Sequence, residues 1–75
     1  MSEFKQLGYI RGYSMAWECR KEVIQSKRTD LPILAGRKLQ TITRLESDGL
    51  HRFDKWKEGF WEGFLDRAEQ IQGVS

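Results

Sequence analysis

Arg20, Lys21, Lys27, Arg28, Arg37, Lys38 and Arg44 form the densest stretch of one chemistry in the chain. Only Glu22 and Asp30 fall in the same span, so it carries a net charge of +5. Such a rim can pair with a phosphate backbone and release its counterions. Tyrosines or tryptophans exposed nearby would add stacking on unpaired bases. Ordinary solvation of helix ends accounts for the same cations without a ligand, and the sequence leaves both readings open. The total charge is only +2, because residues 1 to 44 sum to +5 and residues 45 to 75 to −3. Any attraction for phosphate therefore belongs to the first half.

The other reactive residue types give little chemistry. His51 is the sole histidine and falls on the polar side of a helix near Asp48 and Lys55, where a surface or capping role suits it better than that of a base or ligand. Cys19 is the sole cysteine and faces small residues, as a buried small hydrophobe does, with no adjacent base to make it a nucleophile. Glu58 and Glu62 are one turn apart but flanked by charges, which favours solvent exposure over a proton-holding acid. No Cys/His spacing resembles a zinc site, and the glycines lie in helical stretches rather than in a strand-to-helix phosphate loop. The expectation is a protein that is not an enzyme and has neither metal nor cofactor.

Helices must position these residues. Gly8-Tyr9-Ile10-Arg11-Gly12-Tyr13 and Gly59-Phe60-Trp61-Glu62-Gly63-Phe64 repeat one pattern, two glycines four apart, each followed by an aromatic. On a helix the glycines share a face and the aromatics stand beside it. A glycine inside a helix costs about 1 kcal/mol relative to alanine, so Gly8, Gly12, Gly59 and Gly63 require a reason, and close approach of another helix supplies one. The expectation is one all-α domain over residues 1 to 75. Its first helix runs from about Glu3 to Lys27 with Ser2 as a cap. A short middle helix runs from Leu34 or Gly36 to Glu46 on the repeat Leu39, Ile42 and Leu45, after a turn at Thr29-Asp30 and Leu31-Pro32 in which Thr29 or Asp30 caps the new element. It is preferred to the strand that β-branched Thr41, Ile42 and Thr43 allow, because a single strand would have no partner. A last helix from about Leu50 to Gln72 is capped by Ser47 or Asp48, with a frayed tail at Gly73-Val74-Ser75. The two longer terminal helices are expected to pack antiparallel through their glycines, with the middle helix as a lid. Trp17 and Trp56 can occupy the core. Trp61, at the margin of the apolar arc, becomes a protein-interface candidate together with Glu58 and Glu62. The glycine faces serve more readily as internal packing than as a dimer groove.

Gly8-Tyr9 followed by Gly12, and Trp56-x-x-Gly59-Phe60-x-x-Gly63-Phe64-x-Asp66-Arg67, resemble the two signatures of the ribosome modulation factor family. That family reads Gly-Tyr-x-x-Gly in the first place and Trp-x-x-Gly-Trp-x-x-small-x-x-Asp-Arg in the second. The resemblance covers about a third of the chain. It implies a small helical protein that binds ribosomal RNA and proteins of the small subunit and helps inactivate ribosomes in slow growth. The chain departs from the family in its weaker basic charge, its longer linker and the absence of the Cys-Pro-Tyr that usually follows the first helix.

The function expected is therefore non-catalytic binding, with a ribosome- or RNA-associated modulator acting by occlusion in the lead. A protein-binding inhibitor or adaptor aimed at one specific target is the alternative, and a structural homodimer the third reading. The apolar runs are a few residues long, far short of the roughly twenty that cross a bilayer, so no membrane partner is expected. A lone cysteine points to a reduced, cytoplasmic setting.

Overall fold

The structure, a computed structural model, describes residues 3 to 45 and 49 to 73. The proposed caps at Ser2, Ser47 and Asp48, the predicted helix end at Glu46 and the Val74-Ser75 tail lie outside the described residues. Among those described, the chain is helical with no strand: α1 (Glu3–Glu18), α2 (Arg20–Gln25), a 3-10 turn (Arg28–Asp30), α3 (Leu31–Leu45), a second 3-10 turn (Leu50–Arg52) and α4 (Asp54–Ile71). The small all-α domain read from the sequence is what forms.

Three boundaries differ from expectation, each for a local reason. The long first helix bends at Cys19, whose ψ of 31° lies outside the helical range, although Cys19 N–H still bonds to Met15 O and Val23 N–H to Cys19 O. Its end, at Ser26, is held from a distance: the Gln72 side-chain amide donates to Ser26 O, and also to Val23 O, which already accepts the Ser26 N–H. The middle helix starts at Leu31 rather than at Leu34 or Gly36. Pro32 fits the first turn, where its missing N–H would have had no helical partner, and the preceding 3-10 turn leads into it, Asp30 N–H bonding to Lys27 O. α4 begins at Asp54 rather than Leu50, after Phe53 in extended backbone, and Phe53 stacks on Phe4 at 4.3 Å.

α1 and α4 are parallel, which corrects the antiparallel hairpin. Lys5 reaches Glu58, Tyr9 reaches Asp66 and Tyr13 reaches Gln70, so partners advance together along both helices. The cause is the length of α3. Fifteen residues span about 22 Å, so α3 is a full helix rather than a lid. It starts beside the C-terminal end of α4, where Gln72 holds Ser26, and returns the chain to the 3-10 turn that precedes α4. One long helix in between makes the outer two point the same way.

Their contact is backbone on backbone. A Cβ placed on Gly8 would collide with the carbonyl of Trp56, on Gly12 with that of Phe60, on Gly59 with that of Lys5 and on Gly63 with that of Tyr9. Each glycine meets the partner helix at the position three before the partner's equivalent glycine. The pair thus has an internal two-fold relation that exchanges Gly8 with Gly59 and Gly12 with Gly63. Close approach of this kind is best known in membrane helix pairs and brings Cα–H groups against carbonyl oxygens. Here it occurs in a chain in which no described helix is long and apolar enough to cross a membrane.

The two sides of the pair differ in what covers them. On one side Phe60 and Phe64, stacked at 6.2 Å and preceded by Trp56, are buried under α2 and α3 with Val23, Leu31, Leu34, Ala35 and Ile42. On the other, Tyr9 and Tyr13 stack at 6.0 Å with nearly the same interplanar angle, 24° against 23°, and are only partly covered. Of the repeat that marked the middle helix, Ile42 is buried and Leu45 stands 76% exposed at the last turn of α3.

Candidate functional site

The tertiary structure gathers only part of the basic rim. Arg20 and Lys21 from α2 and Lys38 from α3 line one groove at the α1–α2 joint, with Met15, Glu18, Cys19 and Glu22. Lys38 Nζ sits 2.8 Å from a Glu22 oxygen, so this cation is partly neutralised where it stands. Arg28 turns away and pairs with Glu69 on the acidic back of α4 at 3.3 Å. Arg37 lines a separate shallow groove with Asp30 and Ile33. Lys27 is exposed in the link between helices, and Arg44 is carried about 9 Å along α3 from Lys38. A single basic face over all seven residues is not formed.

The predicted protein-interface trio is divided as well. Glu58 and Glu62 both grip Lys5, at 3.2 and 3.4 Å, and join α4 to α1. The hydrogen bond from Lys5 and its charge hold the Glu58 carboxyl below its ordinary range and raise the Lys5 ammonium. Trp61 lies instead towards α3, with its ring edge at ordinary contact distance from where a side chain on Gly36 would start, and is 37% exposed. Gly8, Gly12, Gly59 and Gly63 are the internal packing surface. Cys19 is partly buried, and loss of solvation pushes its thiol pKa up, against the needs of a nucleophile. Among the described residues no group of three metal-ligating side chains is found.

What the sequence did not single out is a row along the open side of α1. Tyr9, Tyr13 and Trp17 recur every four residues and line, with Ile10, Ser14 and Arg67, an open groove of about 440 Å³. Of the two tryptophans that could occupy the core, Trp56 does, at 3% exposed, and Trp17 is 48% exposed. The difference follows from the two-fold relation of the pair. The side of α4 bearing Phe60 receives α3, and the matching side of α1 receives no third helix among the described residues.

Polar contacts fix the row. Tyr9 O–H donates to Asp66 Oδ2 at 2.7 Å, and Tyr13 O–H donates to Gln70 Oε1 at 3.1 Å. Arg67 Nη1 donates to Tyr13 Oη at 2.9 Å, while its guanidinium carbon lies 4.9 Å from the ring centres of both Tyr13 and Trp17. Arg20, one turn beyond Trp17, donates to Trp17 O and places its guanidinium 4.7 Å from the indole centre. Tyr13, Arg67, Trp17 and Arg20 thus form a run of alternating rings and guanidiniums. Arg67 Nε is buried without an acceptor, a penalty that two ring faces and the Nη1 bonds offset. The bond to Asp66, then partial burial, pushes the Tyr9 hydroxyl up to about 12.

A signal for this row was present in the sequence. The first copy of the repeat has tyrosine where the second has phenylalanine, and a tyrosine is kept where its hydroxyl finds a polar partner at the surface. Arg67 entered only through the Asp66-Arg67 pair of the family resemblance. Comparisons with family models, with curated proteins and with solved structures give no match to this chain.

Proposed function

We propose that this chain is a non-catalytic binding protein of the cytoplasm that contacts RNA, with the ribosome as the favoured target, and acts by covering the site it occupies. One observation carries the reading: Arg20, Lys21 and Lys38 converge at the α1–α2 joint beside an exposed Trp17. Cations of this kind fix a phosphate backbone in place while the exposed ring adds affinity that does not depend on sequence. The likeness of Gly8-Tyr9, Gly12 and the Trp56-to-Arg67 stretch to the ribosome modulation factor family supports ribosomal RNA and ribosomal proteins as the partners to try first.

A protein target is the second reading, favoured by Leu7, Ile10 and Trp17, which leave the outer face of α1 apolar and exposed. Affinity capture of the tagged chain from cells, with and without nuclease, separates the two. The RNA reading expects ribosomal RNA in the untreated capture. It also expects binding to purified RNA to fall roughly sevenfold between 50 and 200 mM salt for about two phosphate contacts, from Arg20 and Lys21, on a single strand. Arg20→Gln with Lys21→Gln flattens that slope. Capture of neither ribosomal RNA nor ribosomal protein refutes the reading.

A further inference from the structure

We infer that the outer face of α1 is the contact between two copies of this chain, which pair antiparallel about a two-fold axis at the level of Gly12. The inference names the chain itself as the partner of that apolar face and does not rest on the RNA reading.

Glu3, Leu7, Ile10, Ser14, Trp17 and Lys21 recur alternately four and three residues apart, the spacing of a coiled-coil seam. All six are exposed, on the side of α1 turned away from the glycines that meet α4. Helical hydrogen bonds continue through the bend at Cys19, so Lys21 extends the line. Leu7, Ile10 and Trp17 stand about half exposed, and no third helix packs on α1 among the described residues. Arg67 and Arg20 already lie over the Trp17 ring, so a partner has to cover the apolar surface they leave open rather than stack on the ring.

The order of residues along the stripe selects the partner. Counted outward from Gly12, Ile10 and Ser14 are equidistant, as are Leu7 and Trp17, and Glu3 and Lys21. A second α1 running the opposite way therefore sets Ile10 over Ser14, Leu7 against Trp17 and Glu3 opposite Lys21, each pairing made twice, as a two-fold contact requires. Ser14 leaves room for the larger Ile10. Its hydroxyl already donates to Glu18 at 3.2 Å, so covering it strands no polar group. A parallel pair would set Glu3 on Glu3 and Lys21 on Lys21, like charges at both ends. The antiparallel axis does bring Arg11 near its own copy, a repulsion moderated by Glu18, which holds each Arg11 at 3.3 Å.

The seam is about 27 Å long. That makes a small interface, so pairing depends on concentration. It covers Trp17 and Lys21, and a paired copy cannot also offer them to RNA.

Sedimentation of the full chain over a range of concentrations tests the pairing, with circular dichroism to show that each variant is folded. The mass should rise from the 8.9 kDa of one chain towards twice that value. Ile10→Glu, at an exposed position, should weaken pairing about a hundredfold, because both copies lose their central apolar contact. Glu3→Lys alone and Lys21→Glu alone should each weaken it about tenfold. The two together should restore it, since the charges are then exchanged rather than matched. A single-chain mass at every concentration overturns the inference, as does a dimer untouched by Ile10→Glu. A double reversal no better than the single ones overturns the antiparallel register. Where RNA binds, it should lower the fraction paired, and bound RNA that leaves the dimer intact overturns the exclusion. A chain that pairs as described but binds no RNA refutes the RNA reading and supports the dimer.

Discussion

Gly12→Ala and Gly36→Ala should shift stability in opposite directions, although both replace a glycine inside a helix. Helix propensity alone stabilises each by about 1 kcal/mol. At Gly36 nothing opposes that gain: the new methyl would find only the Trp61 ring at 3.5 Å, an ordinary contact. At Gly12 it would strike the carbonyl of Phe60, a backbone atom in the next helix with no side-chain freedom to withdraw. To admit it, α1 and α4 must separate along a seam where Gly8, Gly59 and Gly63 are equally close, so one methyl loosens four contacts. Overpacking of this kind costs about 1–3 kcal/mol and sometimes more, which exceeds the propensity gain. The expected net is a loss of up to about 2 kcal/mol for Gly12→Ala against a gain of up to about 1 kcal/mol for Gly36→Ala. For a domain of this size, stability is about 4–11 kcal/mol in total, and each 1 kcal/mol moves the midpoint by about 4–8 °C. Thermal and urea unfolding followed by circular dichroism reads both. Should Gly12→Ala stabilise the protein as Gly36→Ala does, the backbone-contact account of the glycine seam is wrong.

Two further outcomes follow from the contacts of α4. The Tyr9 hydroxyl is raised to about 12 in the folded chain from an unfolded value near 10. Its contribution is therefore complete below about pH 10 and is lost as pH rises from there through the folded value. Lys5 is raised in the same direction, so urea midpoints should fall over pH 10–12, and less steeply in Tyr9→Phe; an identical fall in that variant refutes the role of the Asp66 bond. Gln72→Ala removes both hydrogen bonds that close the end of α2 and should destabilise by about 1–2 kcal/mol, with faster amide exchange at the end of α2; unchanged exchange there would show that the cap is not needed.

The local elements were largely legible. Two glycines four apart beside aromatics predicted helices that approach closely, and Gly8, Gly12, Gly59 and Gly63 meet backbone for that reason. The core places of Trp56, Phe60 and Phe64 follow from one apolar arc on the last helix. The chemistry was less legible. A run of seven cations reads as one rim along the chain, yet α3 carries Arg44 away from Lys38, and the acidic back of α4 draws Arg28 to Glu69.

Residue type and spacing by themselves determined that the chain is helical, which faces of the terminal helices are small and which are aromatic, and that each glycine pair needs a close neighbour. Only the tertiary structure decided that those helices run parallel, because their direction depends on α3 beginning at Leu31 and spanning the domain. It also decided which copy of the repeat is covered. A helical wheel gives angles within one helix and says nothing of where a third helix lies. Once α3 settles on Phe60 and Phe64, the equivalent Tyr9 and Tyr13, with Trp17 beyond them, are left at the surface beside Arg67.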